Sequence, residues 1–207
     1  MYAVVENNNI TQFINYPKSI VIADVRYPAK IFTMWSKAEK EAIGIYEIIT
    51  DSTNYKDPAY YNNTNEQYTF ANGQVTKSWG TATAKRLEDE NAVDEDGNPV
   101  LDDDGVQLIN YGLKTEKKKI VKQQASGLLA PTDWYVVKAT EVADYDIPAN
   151  ILSFRADVRT KSNEMETMIN NCTTVDELKA LYEYTNTGTE ANPVFTRPLP
   201  EFPQEVI

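Results

Sequence analysis

Residues 113–129, LKTEKKKIVKQQASGLL, and residues 149–159, ANILSFRADVR, decide the fold class of this chain. In the first segment apolar residues recur at helical spacing while lysines occupy the other faces, which predicts an amphipathic helix. The second segment follows Pro148 and carries an apolar stripe from Ile151 onward, which predicts another helix. Short connections between such helices favour antiparallel packing, so we expect a small helical module at residues 113–184.

Residues 1–86 have the opposite character, because β-branched runs alternate there with turn signals. An Asn-Gly pair at 72–73 separates two such runs, and Asn-Gly accepts the positive φ angles of a tight hairpin. Ser36 and Glu39 form a capping-box pattern that predicts one short helix over about Lys37 to Ile43. The predicted fold class is therefore α+β, with a β-rich N-terminal domain, an antiparallel helical module and an extended Pro-rich C-terminal arm.

Residues 87–112, the acidic segment, hold nine acidic residues and no lysine or arginine. The net charge of −11 is concentrated there, since the rest of the chain has 22 acids against 20 bases. Two similar phrases, DEDGNPVL and DDDGVQLI, predict a protruding β-hairpin or a pair of tight turns with carboxylates outside. A calcium loop is the alternative, but neither phrase continues with the alternating ligands and final Glu of an EF-hand.

The chain contains no histidine and a single cysteine, Cys172. This composition excludes Ser-His-Asp and Cys-His nucleophilic sites and histidine-containing zinc sites. A pair of carboxylates that hydrolyses glycosides stays open, because its signature is a distance in space. Cys172 falls on the apolar stripe of the second helix and is predicted to be a small core residue. We expect no enzymatic activity, no cofactor and no metal.

The last fifteen residues contain four prolines with apolar residues between them. Proline interrupts helices and removes ladder hydrogen bonds, so residues 185–207 are predicted to form an extended arm. Apolar residues spaced along an arm need a groove to occupy, and we expect that groove on another subunit. The predicted partner-binding residues of the arm are Phe195, Leu199, Phe202 and Ile207.

Arg155 and Arg159 lie one helical turn apart in the second helix. Such a pair can bind the carboxylates of a partner protein through bidentate hydrogen bonds, and both arginines are predicted partner-binding residues. The alternative is an ion pair within the chain, with acidic residues near Asp157 or Glu141. Trp134, which follows a proline between the first two helices, is expected to fill the corner between them.

No stretch approaches the ~20 apolar residues that cross a bilayer, and the N-terminus MYAVVENNNITQF lacks the basic start of a signal peptide. The nearly neutral charge outside the acidic segment disfavours a continuous basic face for nucleic acid. We therefore expect neither membrane nor nucleic-acid partners. The lysines of the first helix either face solvent or contact the acidic segment of the same chain or of a neighbouring copy.

Three features carry a resemblance to a known family: a charged helix ending at Leu129, the Thr-Asp-Trp phrase at 132–134, and a second helix ending in Arg155 and Arg159. Together they resemble the small module of tail assembly chaperones and tail fibre proteins of tailed bacteriophages, over about residues 113–182. A second resemblance, to the N-terminal region of phage tail fibre and fibre-assembly proteins, rests on YPKSIVI, the Trp-Ser helix start and AIGIYEI.

These resemblances imply a non-enzymatic virion protein of the tail or fibre apparatus, acting as an adaptor or fibre-associated subunit. Its expected partners are other tail, fibre or baseplate proteins and further copies of itself, and its expected location is the virion, after assembly in the host bacterial cytoplasm. A tail or fibre assembly chaperone that leaves before the particle is finished is the first alternative. A receptor-binding tip whose exposed aromatic residues stack on sugar rings is a further alternative.

Overall fold

The computed structural model describes residues 1–204 and forms two compact units. The first unit spans Met1–Ala84 and the second begins at Lys85, close to the predicted boundary. Strands dominate the first unit and the long helices lie in the second, so the predicted α+β class is confirmed. The extended C-terminal arm is not supported, because the Leu199 N–H donates a 3.0 Å hydrogen bond to the Leu181 carbonyl of the same unit.

The first unit combines short strands with two short helices. In chain order these are β1 (Tyr2–Glu6), β2 (Asn9–Ile14), β3 (Ile20–Ile22), β4 (Val25–Tyr27), α1 (Ile31–Met34), α2 (Lys37–Ala42), β5 (Ile45–Thr50), β6 (Tyr61–Asn62), β7 (Gln67–Ala71), β8 (Gln74–Ser78) and β9 (Thr83–Ala84).

Five of these strands form one sheet in the order β2-β1-β5-β8-β7. Neighbouring strands are antiparallel except β5 and β8, which run parallel. Asn7 and Asn8 join β1 to β2 with φ angles of 51° and 63°, and Asn72 and Gly73 join β7 to β8 with φ angles of 50° and 71°. Positive φ at both central residues matches the strand twist, so the predicted Asn-Gly hairpin is confirmed.

The predicted short helix is α2, and its capping box is present. The Ser36 hydroxyl accepts the Glu39 N–H at 3.3 Å, and the Ser36 N–H donates to the Glu39 carboxylate at 2.7 Å. Gly44 then turns the chain into β5 with a φ of 83°, and a Cβ at this position would lie 2.6 Å from the Val5 carbonyl oxygen. The four-residue helix α1, which precedes α2, was not predicted.

The sheet carries apolar residues on both faces because successive residues of a strand point to opposite sides. In β1, Val4 belongs to one cluster, whereas Ala3 and Val5 belong to the other. The first cluster is completed by residues of the flanking strands and α1, namely Ile14, Ile20, Ile22, Ile31, Phe32 and Ile45. These two clusters form the core of the first unit, whereas Phe13, Met34 and Ile49 stay exposed.

The second unit begins with the acidic segment and continues into helices. Its elements are β10 (Glu90–Asn91), β11 (Ile109–Asn110), α3 (Leu113–Leu129), a 3-10 turn (Ala130–Thr132), α4 (Asp133–Glu141), α5 (Ala149–Asn171), α6 (Val175–Ala180), β12 (Thr185–Asn186) and β13 (Phe195–Thr196).

Helices α3 and α5 pack against each other and run in opposite directions. Residue numbers rise along α3 as they fall along α5 in three contacts: Lys118 Nζ with Asn170 Oδ1 at 2.9 Å, Lys122 Nζ with Glu166 Oε2 at 3.3 Å, and Arg155 Nη1 with the Leu129 carbonyl at 3.0 Å. The predicted antiparallel packing is therefore confirmed for this pair.

Apolar residues of α3 and α5 meet in a core that includes Ala125, Phe154 and Val158. Cys172 follows α5 and is buried, as predicted, and this burial raises the pKa of its thiol. A raised pKa keeps the thiol protonated and makes it a weaker nucleophile, which fits a packing role.

Candidate functional site

The Arg155 side chain is buried between the helices, so it is not exposed for contact with a partner protein. This side chain is 8% exposed, and Nη1 donates to the Leu129 carbonyl at 3.0 Å and to Thr132 Oγ1 at 2.6 Å. Nη2 lies 2.8 Å from Asp133 Oδ1. The guanidinium thus ties the end of α3, the 3-10 turn and the start of α4 to α5, and Asp133 takes the place of the acids predicted near Asp157 or Glu141.

Arg159, one turn further along α5, is exposed. Its Nη1 donates a long hydrogen bond of 3.3 Å to the Arg155 carbonyl, and it forms no ion pair with any of residues 1–204. It lines a cleft between α3 and α5 together with Lys122, Ser126 and Asn163. Of the two predicted partner-binding arginines, Arg159 is the one whose charge is available to a carboxylate of a partner.

The C-terminal residues predicted to bind a partner have three different environments. Phe195, in β13, is 62% exposed. Leu199 is 2% exposed and hydrogen-bonded to the Leu181 carbonyl, and Phe202 packs on the cluster of Ala125, Phe154 and Val158. Leu199 and Phe202 therefore contribute to the core of their own unit, Phe195 is accessible, and Ile207 lies outside the described residues.

Helix α4 was not predicted, because the Thr-Asp-Trp phrase was expected to form a corner between helices. None of its nine residues is buried. Trp134 is 51% exposed and therefore does not fill the corner between helices, which corrects the prediction. Val137, three residues further on, is 52% exposed. We define the α4 surface by its exposed apolar residues, Trp134, Val136, Val137 and Val142.

The start of α4 is held to α5 by an ion pair, although the apolar side chains of α4 are not buried. Asp133 pairs with Arg155, and the rings of Trp134 and Tyr135 stack with centroids 3.8 Å apart. Asp133 in the first turn and Lys138 in the last turn match the helix dipole. That charge pattern was the available signal for a helix, and the unbroken run of apolar residues after it concealed the amphipathic spacing.

The base of the acidic segment is fastened to the start of α3. The Asp89 carboxylate accepts the Gly112 N–H at 2.8 Å and the Thr115 hydroxyl at 2.9 Å, and the first of these bonds does most to lower the Asp89 pKa. Lys114 pairs with Glu88. A Cβ at Gly112 would lie 2.4 Å from the Glu88 carbonyl oxygen, so only glycine permits this close approach.

Above its base, a ring of three backbone hydrogen bonds closes the acidic segment. Ala92 N–H donates to the Leu108 carbonyl, Val100 N–H to the Ala92 carbonyl and Leu108 N–H to the Val100 carbonyl, at 2.8–2.9 Å. The Gln107 side-chain amide donates to the same three carbonyls. The three residues of the ring are eight positions apart, which explains the two similar phrases in the sequence. The ring also holds in place the two turns that lie between these residues.

Those two turns have the same hydrogen bonding. Asp94 Oδ1 accepts hydrogen bonds from the N–H groups of Asp96 and Asn98. In the second turn, Asp102 Oδ1 accepts hydrogen bonds from the N–H groups of Asp104 and Val106, and all four bonds are 2.8–3.0 Å long. Gly97 follows with positive φ, as does the matching glycine of the second turn. The structure therefore agrees with a pair of tight turns, and hydrogen bonds from the main chain lower the pKa of Asp94.

Residues 1–204 present neither a cluster of metal ligands nor a helix suited to cross a membrane. No group of three or more potential ligands among acidic and cysteine side chains is arranged there to hold a metal ion. No helix in the same range combines the length and apolar character that crossing a bilayer requires. Exposed groups of the described chain include the apolar residues of the α4 surface, the Arg159 guanidinium, the Phe195 ring and the carboxylates of the acidic segment.

No family model, curated protein or solved structure matches the chain. The bacteriophage resemblance of residues 113–182 therefore stays a prediction.

Proposed function

We propose that this chain is a non-enzymatic structural or adaptor subunit of the tail or fibre apparatus of a tailed bacteriophage. In this role it is assembled in the host cytoplasm, resides in the virion, and contacts neighbouring tail, fibre or baseplate proteins as well as further copies of itself. The phage context rests on the resemblance of residues 113–182, and the protein-binding role rests on α4.

The observation that carries the binding role is the exposure of the α4 surface. A helix of nine residues is shorter than the ~12–15 residues at which isolated helices become even marginally stable in water, so tertiary packing normally supplies the missing stability. In α4 no residue is buried. Neighbouring exposed apolar residues on a folded protein, such as Trp134 and Val137 one helical turn apart, are typical of a protein-binding site. Tryptophan is also enriched at the energetic centres of interfaces.

Two accessible groups of the same unit add specificity to this role. Arg159 offers a guanidinium that no described acid neutralises, and Phe195 offers an aromatic ring on a two-stranded hairpin. Aromatic residues and arginine are enriched in protein interfaces. A partner with an apolar patch and a nearby carboxylate fits these groups.

The test is the incorporation of variants into phage particles. Trp134→Ala combined with Val137→Ser should leave the urea midpoint of the isolated protein unchanged, because neither side chain is buried. Its abundance in purified virions should fall roughly tenfold or more, since truncation of an interface tryptophan costs about 2 kcal/mol or more. Val21→Ser is the matched control, because Val21 is 58% exposed in the first unit, and it should incorporate normally.

Quantitative mass spectrometry of the virions and of infected cells separates the candidate roles. A structural subunit is present at fixed stoichiometry in the particle. An assembly chaperone is bound to a virion protein in the cell and absent from the particle, and loss of that complex in the α4 variant would support this second role. Absence of the wild-type chain from both, or normal incorporation of the α4 variant, would overturn the proposed function.

A further inference from the structure

The acidic segment carries four carboxylates that the chain itself does not use. Asp94 and Asp102 hold their own turns, and the acids at the base pair with residues of the second unit. The remaining acids form no ion pair with any of residues 1–204, and all are exposed; they are Glu95, Asp96, Asp103 and Asp104. Beside them stand apolar residues that are more than half exposed, namely Val93, Leu101 and Val106.

A lysine-lined groove runs along α3 in the same unit. It has a volume of about 770 Å³ and is lined by Tyr111 and side chains of α3, among them Lys118, Lys119, Lys122 and one acid, Glu116. Lys118 donates to a neutral amide, Asn170, and Lys119 has no ion pair within residues 1–204. Lys122 reaches Glu166 at 3.3 Å, but two thirds of its side chain is exposed. With three lysines against two carboxylates, Glu116 and Glu166, the groove keeps an excess of positive charge.

The free carboxylates and the lysine-lined groove do not pair within one chain. The segment is fastened at its base through Asp89 and Gly112 and is closed above that base by the hydrogen-bonded ring, so its turns are held in place. In this arrangement none of the four free carboxylates pairs with Lys118, Lys119 or Lys122. Tyr111, next to the last residue of the acidic segment, also lines the groove, so the base of the segment borders the groove.

A surface that holds both members of a complementary pair is self-complementary, as a two-fold symmetric interface requires. We infer that two copies of this chain associate reciprocally, with the acidic turns of each copy in the lysine-lined groove of the other. The exposed valines and leucine beside the turns become buried in the same contact. Exposed ion pairs are individually weak, so the association depends on several pairs acting together and is sensitive to salt.

This interface is separate from the α4 surface, and the two are tested independently. The acid-reversed variant is Asp96→Lys, Asp103→Lys, Asp104→Lys, and the base-reversed variant is Lys118→Glu, Lys119→Glu, Lys122→Glu. Sedimentation velocity over a concentration series measures the association of each full-length protein. Wild type should dimerise, and raising NaCl from about 50 mM to about 500 mM should weaken the dimer roughly tenfold or more.

Each reversed variant should be monomeric, because its turns and its groove then carry the same sign. An equimolar mixture of the two should form a heterodimer, since both halves of the mixed interface again join opposite charges. Lys30→Glu with Lys56→Glu, two exposed lysines of the first unit, is the control and should dimerise as wild type does. Circular dichroism and urea unfolding establish that all variants are folded.

Three results would overturn the inference: wild type that stays monomeric at low salt, a reversed variant that still dimerises, or a folded mixture that fails to associate. The α4 variant, Trp134→Ala with Val137→Ser, should retain the dimer. If the reversed variants form no heterodimer while the α4 variant fails to enter virions, the reciprocal interface is disproved and the proposed function stands. If the heterodimer forms while the α4 variant enters virions normally, the interface stands and the proposed function is disproved.

Discussion

Helices α4 and α5 belong to one unit and share a joint at Arg155, yet they use their apolar residues in opposite ways. Helix α5 buries seven of its residues, among them Phe154, Val158 and Ile169. Helix α4 buries none, although more than half of its residues are apolar. Apolar composition alone therefore does not locate the core, because it is the pairing with α3 that decides which helix is covered.

The difference separates residues that stabilise the unit from residues that are free to bind. Buried side chains of α5 contribute to folding through the water-exposed area they remove. Exposed side chains of α4 gain nothing from folding, so their apolar area is still available to a partner. The same substitution should consequently lower the unfolding free energy more in α5 than in α4.

The largest effect is expected from valine-to-alanine substitutions in the two helices. Val158 is fully buried. Val158→Ala should lower the unfolding free energy of the protein by roughly 2–3 kcal/mol, because two methyl groups leave a packed core and a cavity remains. Val137→Ala, at a half-exposed position, should change stability by less than about 0.5 kcal/mol. Urea unfolding followed by circular dichroism measures both.

Equal losses for the two variants would break the comparison, since they would show that α4 is as much a part of the core as α5. A large loss for Val137→Ala alone would also contradict the assignment of α4 as a binding helix. Retention of the two-state slope in both variants ensures that the midpoints report stability.

Local signals were the part of the fold that the sequence predicted well. The capping box at Ser36 places a hydroxyl three residues before Glu39, and it starts α2 as predicted. The Asn-Gly pair at 72–73 defines its hairpin through backbone preferences of those residues alone. Such interactions span only a few residues, so their geometry follows from the chain itself.

Long-range pairing is what the sequence did not reveal. Leu199 is separated from Leu181 by eighteen positions, and nothing in the proline-rich phrase indicates that its N–H finds that carbonyl. Trp134 was expected to be buried because large aromatic residues usually are, whereas its exposure depends on how far α3 and α5 cover α4. For the same reason the sequence did not reveal that Arg155, Leu199 and Phe202 pack within their own unit.

The next effect in size concerns the two arginines of α5. Arg155→Met should lower the unfolding free energy by about 1–2 kcal/mol, because two hydrogen bonds and an ion pair are lost while the Thr132 hydroxyl and Leu129 carbonyl lose a partner. Arg159→Met should stay within about 0.5 kcal/mol of wild type. Thermal and urea unfolding of the two variants give the comparison.

Similar stabilities for the two arginine variants would contradict the view that Arg155 stabilises the unit while Arg159 is an accessible charge. If Arg159 binds a partner carboxylate, Arg159→Met should instead reduce virion incorporation while leaving the isolated protein intact. Arg159→Lys retains the charge but loses the bidentate geometry, so partial recovery of incorporation would indicate that charge contributes beside geometry.

The smallest effect is a pH dependence at the base of the acidic segment. Hydrogen bonds from the Gly112 N–H and, to a lesser extent, the Thr115 hydroxyl hold the Asp89 pKa below its usual value of 3.8. Because the folded-state pKa is the lower one, the ionised carboxylate stabilises the folded segment above pH 3.8, and this contribution disappears as the pH falls through the folded-state pKa. Asp89→Asn should therefore be less stable than wild type at neutral pH.

The stability difference between wild type and Asp89→Asn should shrink as the pH is lowered from about 6 to about 2, because protonation removes from wild type the charge that the variant already lacks. Asp96→Asn is the matched control in the same segment, since the Asp96 carboxylate accepts no hydrogen bond from any of residues 1–204, and its stability should follow that of wild type across the series. A difference for Asp89→Asn that is constant down to about pH 2 would show that Asp89 acts through its shape and not its charge, and the fastening of the acidic segment to α3 would then rest on Gly112 and the Lys114–Glu88 pair.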